Sequence, residues 1–403
     1  MERLIYHIDV NNAFLSWEAL KRLEEDPSST DIRTFPSAIC GDPAKRHGII
    51  LAKSPIAKQY HVSTAETIQN AQKKCPNLQL FPARHSVYRE YSHRFHSLLK
   101  RYTDVSEPFS IDEAFLDMTN TYHLFGTPIS TAYLIQKTIL DELGFTVNVG
   151  ISSNKVLAKM ASDFEKPYKV HTLFVEELPD KFWPLPVERL LFAGRSTCEK
   201  LKNLGIYTIG DLAHTDPVYL QPHLGKNGLV LHNYANGIDP SPVQAEKDQA
   251  KGYSNSVTTD HDIVDSTEAK QILLTLCDTV ASRMRKDHMH AGVISVQIKN
   301  CFFQKQSKQT VLPEPTNQTK LLYDQICALF DALWDKQTPI RLLGVHATKL
   351  SSAEFTQMSL FDMETDQNKK LDQALDTIRN KFGTTSIVRA SCYHPNPRNK
   401  KEK

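Results

Sequence analysis

The chain is short of the features that most quickly settle a function. Its cysteines (Cys40, Cys75, Cys198, Cys277, Cys301, Cys327 and Cys392) are odd in number, scattered, and never spaced as C-x-x-C. That pattern argues against a disulfide framework and a thiolate zinc site, and fits reduced thiols in a cytoplasm. No apolar run approaches the ~20 residues needed to span a bilayer. The opening stretch MERLIYHIDV meets Asp9 too early for a secretory signal. A soluble cytoplasmic protein is therefore expected. The loops G-x-x-x-x-G-K-[ST], G-x-G-x-x-G and G-x-S-x-G are all missing, which argues against a nucleotide-hydrolase loop, a dinucleotide fold and a serine hydrolase. The histidines never form H-E-x-x-H, and no repeat of fixed period or low-complexity tract is found. A formal net charge of +2 does not announce a nucleic-acid binder, although binding needs only a local basic face.

What is present reads as several domains. A chain of 403 residues, 40% hydrophobic and 23% charged, is too long for one ordinary core. Residues 3–10 (RLIYHIDV) predict a buried strand ending in an acid, and Asn12 to Leu23 has helical apolar spacing through Ala13, Trp17, Leu20 and Leu23. Short apolar runs at 37–40 and 49–52 precede two short helical stretches, the second ending before Pro76. An amphipathic helix is predicted over 86–102, then strand, turn and strand in PFSIDEAFLDM. A helix at 130–143, a strand at 145–151 and a helix at 154–164 follow, which predicts a sheet with helices packed on one face. Two helical units with glycine turns fill 188–237, and the polar, two-proline stretch DPSPVQAEKDQAKG (239–252) reads as a linker. Beyond it, helix-like stretches (267–286, 317–334) alternate with strand-like ones (292–298, 341–349). The last fifty residues carry an amphipathic helix at 369–382 and a basic end, RNKKEK, expected to fray.

Three acids could do chemistry. Asp112 and Glu113 lie side by side in an apolar run from Phe109 to Met118. Neighbours on a regular strand point to opposite faces, so both carboxylates share a site only at a bend such as a hairpin tip. Asp9 ends a buried strand with no cation beside it in sequence. Burying clustered carboxylates unpaired costs on the order of several kcal/mol each. A hard divalent cation would offset this, and oxygen ligands suit Mg²⁺. On spacing alone, ordinary surface or capping contacts account for an Asp-Glu pair better.

The motifs around these acids carry a family resemblance. SIDEAFLD (110–117) resembles the signature of the Y-family DNA polymerases, HIDVNNAFLSWE (7–18) their first motif, and VGISSNKVLAKMASDFEKP (149–167) their third. They stand in the family's order, and the likeness runs from residue 1 to about 361. It implies an α+β multidomain right-hand polymerase. The palm would be 1–18 and 83–168, the fingers 19–82, and a helical thumb with a helix-hairpin-helix 169–240. A linker (241–252), a C-terminal α+β little finger (253–350) and a tail (351–403) would complete it. The implied activity is template-directed, low-fidelity translesion synthesis, adding dNTPs to the 3′ end of a primer, by a monomer.

The same resemblance assigns residues. Asp9, Asp112 and Glu113 would hold two Mg²⁺ ions with help from the Val10 carbonyl. Phe14 falls at the steric-gate position, and Lys58 and Lys166 would contact the triphosphate. Two departures stand here: Pro55 where many relatives carry tyrosine, and Lys58 where many carry arginine, so a hydroxyl and a bidentate fork are lost. Gly194 and Thr197 lie in the helix-hairpin-helix, with Phe192 where the first glycine is expected. Arg283, Arg285, Lys286 and Lys299, among His288, His290, Lys305 and Lys308, form a basic cluster suited to DNA backbone. Gln357, Leu360 and Phe361, in QMSLF, resemble the pentapeptide by which bacterial polymerases engage the sliding clamp (beta subunit). The alternative is a non-catalytic DNA-binding or replisome-regulating relative, favoured by Pro55, Lys58 and Phe192 and opposed by the three acids. A nucleotide cyclase on a similar palm would need neither a thumb nor a DNA-tracking domain.

Overall fold

The structure, a computed structural model, describes residues 3–42, 48–246, 249–352, 363–383 and 386–390. The clamp-like segment 357–361 and the RNKKEK end lie outside the described residues. The chain divides into two compact units, Met1–Lys247 and Asp248–Lys403.

The first unit opens with β1 (Ile5–Val10) and α1 (Ala13–Glu25), then β2 (Ser37–Cys40), β3 (Ile50–Lys53), α2 (Pro55–Gln59), α3 (Ile68–Lys74) and β4 (Gln79–Pro82). Next come α4 (His85–Leu99), β5 (Ser106–Pro108), β6 (Glu113–Asp117), α5 (Pro128–Leu143), β7 (Val147–Ser152), α6 (Lys155–Ser162) and β8 (Val170–Thr172). The helices α7 (Arg195–Asn203), α8 (Ile209–His214), α9 (Pro217–Leu224) and α10 (Lys226–Ala235) close it. The main sheet runs β5-β6-β1-β7-β8, and every residue of β1 is buried because both its faces are covered. Tyr6, Ile8 and Val10 join Leu15 and Trp17 of α1, Phe95 of α4 and Ile135 of α5 in the largest core. On the opposite face Ile5 meets Phe115 and Ala158. The expected one-sided packing of helices is thereby corrected, since α6 lies against the second face. Gly150 permits this approach: a Cβ there would stand 2.0 Å from the Ala158 carbonyl oxygen. A small sheet, β3-β2-β4, keeps its own core around Ala38, Ile50, Ala57 and Ala71. The last helices pack around Leu157, Leu201, Leu212 and Leu231.

The second unit contains β9 (Gly252–Ile263), α11 (Ser266–Lys286), β10 (Met289–Asn300), β11 (Lys305–Thr316), α12 (Thr319–Asp331), β12 (Ile340–Ser352) and α13 (Met363–Phe382). Its antiparallel sheet runs β11-β10-β12-β9, with Leu273, Cys277, Ile294, Phe330 and Val345 in the core beneath α11 and α12. β9 and β11 escape the sequence reading because they are edge strands. From Lys305 to Gln309, β11 is exposed and polar on both sides, so it shows no apolar alternation. The C-terminal helix starts earlier than predicted and is held by ions. Arg285 bonds Asp376 at 2.6 Å and Asp372 at 3.1 Å, Arg379 pairs with Asp278 at 2.7 Å, and Arg389 with Asp372 at 2.9 Å. Asp372 also accepts the Thr319 N–H at 2.8 Å, satisfying a free donor at the start of α12. Burial works against the Asp376 carboxylate, yet hydrogen bonds from Arg285 and Ser282 hold it below the usual range. Arg285, grouped with the DNA contacts on sequence, is thus turned inward and spent on this network.

Removing one partner of a buried ion pair costs about 3–5 kcal/mol, because the other charge is left unpaired. Arg285→Ala is therefore expected to speed amide hydrogen exchange along α13 and the first turn of α12 by on the order of a hundredfold or more. Unchanged exchange in α13 would show that the network does not hold the helix.

Candidate active site

The acids meet because of strand parity. In β1 the side chains of His7 and Asp9 point toward α6, opposite to Tyr6, Ile8 and Val10. β1 pairs antiparallel with β6, and Asp9 stands directly across from Glu113. Between β5 and β6 the chain turns tightly, with the Phe109 and Ser110 N–H groups both donating to the Glu113 carbonyl at 2.9 and 3.2 Å. Asp112 sits in that turn, its carbonyl accepting the Val10 N–H at 3.0 Å. A bend of this kind is what two adjacent carboxylates need in order to share one end of a sheet.

Two lysine ammonium groups face these acids. The Lys159 ammonium, from α6, lies 3.0 Å from Asp9, 2.8 Å from Glu113 and 3.2 Å from Asp163. The Lys166 ammonium reaches the same Asp9 oxygen at 3.0 Å and Asp163 at 2.8 Å. Burial disfavours the Lys159 charge, but Asp9, Asp163 and Glu113 outweigh it and raise its pKa. His7 is fully buried, with Nδ1 2.8 Å from the Ser162 hydroxyl and Nε2 3.6 Å from Glu113. Burial first, then Lys159, pushes its pKa down to about 3, so the imidazole is neutral. Asp112 fares differently. It bonds locally with Ser110, whose hydroxyl donates to it at 2.6 Å, and burial, together with Glu113 and Asp9, raises its pKa. Sequence reasoning missed Lys159 and His7. The available signal was a lysine inside the wholly buried run Val156 to Ser162.

In α1, Phe14 is half-buried, one face stacked on Tyr88 at 4.6 Å. Asn12, in a left-handed conformation that asparagine tolerates, donates to the Lys53 carbonyl at 2.6 Å and ties β3 to the turn after Asp9. Pro55 occupies the first turn of α2, where its missing N–H is not required, and the Ser54 side chain caps the Ala57 N–H. Lys58 is exposed in the same short helix. Lys53, which the sequence reading did not single out, is partly buried nearby. Burial and then repulsion from Lys58 and Lys74 lower its pKa, with Glu66 opposing.

Phe192 adopts φ +66°, the left-handed conformation that glycine takes without strain. Its ring is exposed and meets that of Phe109, on the Asp112 turn, at 6.5 Å. Gly194 precedes α7, but its N–H already donates to the Phe192 carbonyl at 3.1 Å; Thr197 lies within the first turn, partly exposed. In the second unit Arg283 and Lys286 are exposed on α11. Lys299 stands over the Phe303 ring at 4.6 Å.

Residues 8–163 match the impB/mucB/samB family and residues 250–360 match that family's C-terminal domain. A DNA polymerase IV of Clostridium acetobutylicum is 42% identical, with 97% of this chain and 98% of that protein covered. The chain belongs to the Y family of DNA polymerases. A DNA polymerase IV 2 of Bacillus subtilis is 37% identical, over 97% of this chain and 94% of its own length. A solved Y-family DNA polymerase chimera shares the fold with a TM-score of 0.74 at 24% identity, covering 86% of this chain and 98% of that one. No helix among the described residues is long and apolar enough to cross a membrane.

Y-family polymerases depend on divalent metal, and the donor set here fits one in kind: three carboxylates at one sheet end, of which Asp112 has no cationic partner among the described residues. Among the described residues no three acid, imidazole or thiol side chains are placed to hold a metal ion as they stand. The ammonium groups stand between the carboxylates instead. Lys159→Met should therefore expose Asp9 and Glu113 to each other. The melting temperature in EDTA should fall by roughly 5–10 °C, with much of the loss recovered on adding Mn²⁺. Equal melting of variant and parent in EDTA would show that Lys159 does not neutralise the site.

Proposed function

We propose that this DNA-directed DNA polymerase of the translesion kind joins dNTPs to a primer 3′ end through two Mg²⁺ ions, held by Asp9, Asp112, Glu113 and the Val10 carbonyl. The observation that carries this reading is the convergence of the three acids at one sheet end, with Asp9 and Glu113 in register and Asp112 raised in pKa by its neighbours. Bound there, the cations would supply a more acidic primer 3′-hydroxyl and charge neutralisation on the departing pyrophosphate.

The chain's own residues do the rest. Asp9 and Glu113 would hold the ions where they now bond the Lys159 and Lys166 ammonium groups. Lys166 would contact the triphosphate as a point charge, alongside Lys58 on α2. Neutral His7 keeps the Glu113 carboxylate from gaining a second positive neighbour. Phe14, backed by Tyr88, stands rigid enough to exclude a ribose 2′-hydroxyl, since a stacked ring cannot swing away without losing that contact. Pro55, counted on sequence toward a non-catalytic relative, has a local reason as a helix start.

Template–primer DNA is gripped through its phosphates around Gly194 and Thr197 and by Arg283, Lys286 and Lys299, so affinity and chemistry reside in different residues. The domain division read from sequence, with palm, fingers, thumb and little finger, is retained in this proposal. So is clamp engagement through Gln357, Leu360 and Phe361.

Asp112→Ala should lower primer extension with Mg²⁺ at least about a hundredfold, the scale on which a lost transition-state charge contact is felt. Primer–template affinity should stay within about twofold of the parent, because the DNA is held by basic residues elsewhere. Extension by Asp112→Ala at the parental rate would refute the metal assignment.

A further inference from the structure

The turn joining β10 to β11 exposes two aromatic rings that a protein core would normally claim. Phe302 and Phe303 are 74% and 59% exposed. The turn is nonetheless braced. The Asn300 side-chain oxygen accepts the Phe302 and Gln304 N–H groups at 3.0 and 2.9 Å. The Asn300 backbone bonds Phe303 and Gln304, each at 3.0 Å. Phe303 holds φ +66°, a strained choice for a bulky residue where glycine would be relaxed.

Cations gather on this turn. The Lys299 ammonium and the Arg341 guanidinium lie 4.6 and 4.9 Å from the centre of the Phe303 ring. Lys305 stands directly across from Lys299 in the β10–β11 ladder, a like-charge pairing that costs stability. Lys308 is exposed further along β11. Among the described residues none of these four is in an ion pair. The nearby acid, Asp335, is occupied in its own turn, accepting from Gln337 and Thr338.

We propose that this tip is a binding site for unpaired DNA, with Phe302 stacking on a base while Lys299, Arg341 and Lys305 contact the flanking phosphates. Exposed rings beside unneutralised cations are the chemistry by which single strands are held without reading sequence. A duplex offers phosphates but no free base face. An apolar protein surface would use the rings and leave four like charges unanswered. The proposal rests on the polymerase reading above, in which the template ahead of the primer is the unpaired strand at hand.

The test measures fluorescence anisotropy of the full chain with three probes: an oligo-dT strand, a primer–template with a long 5′ overhang, and the same duplex with a blunt end. Phe302→Ala should weaken binding of oligo-dT and of the overhang substrate about tenfold, the scale of losing one stacked base. Blunt-duplex affinity should be unchanged, and Phe302→Trp should bind like the parent. Equal oligo-dT affinity in parent and Phe302→Ala would overturn the proposal. So would an equal loss on the blunt duplex, or unchanged DNA binding with loss of clamp-stimulated synthesis, which would assign the tip to a protein partner. Primer extension by the parent chain on an undamaged template checks the polymerase reading separately. Its absence would remove that reading and leave the oligo-dT result to stand or fall alone.

Discussion

A buried ammonium between two carboxylates is the interaction on which the rest of the site depends. Lys159 touches Asp9, Glu113 and Asp163 at once, in a place with little water. Without such a partner, two acids in register on adjacent strands would repel each other at the end of the sheet, and neither could stay both charged and buried. Among the described residues no ion pair reaches Asp112, and burial with its two neighbours raises its pKa. The same arrangement that keeps the resting site stable also leaves it short of positive charge. That is the condition in which a divalent ion binds with gain.

Getting Lys159 there constrains the fold. α6 has to lie against the second face of the sheet, and it can do so because Gly150 offers no Cβ to the Ala158 carbonyl. Both faces of β1 are consequently buried, and one face carries His7 and Asp9 while the other, through Tyr6 and Ile8, joins the core. The turn bearing Asp112 is fixed from behind by Phe115 and His7, whose rings lie 4.7 Å apart. On its outer side Phe109 meets Phe192, so the first unit's helical part and the Asp112 turn share an aromatic contact.

Much of this was legible in the sequence, for identifiable reasons. β1 could be read because a strand buried on both faces is a continuous apolar run. The Asp112 turn could be read because adjacent acids in an apolar stretch require a bend. The family motifs then placed both. The edge strands β9 and β11 could not be read, because polarity on both faces erases the alternation that marks a strand. Lys159 was passed over because a lysine on a helix is ordinarily solvated, and only tertiary packing reveals what it faces. Arg285 is hidden for a related reason: its neighbours in sequence are basic, whereas its partners, Asp372 and Asp376, lie 87 and 91 residues away. Charge runs report what is near along the chain and say little about what is near in space.

Three acids acting as one cation-binding centre should be visible in Mn²⁺ titration of the full chain with primer–template and a non-hydrolysable dNTP, followed by electron paramagnetic resonance. Two ions should bind per chain in the parent, and at least one should be lost in Glu113→Gln, which preserves shape while removing charge. Two ions bound with equal affinity in parent and Glu113→Gln, or no bound ion in either, would contradict it.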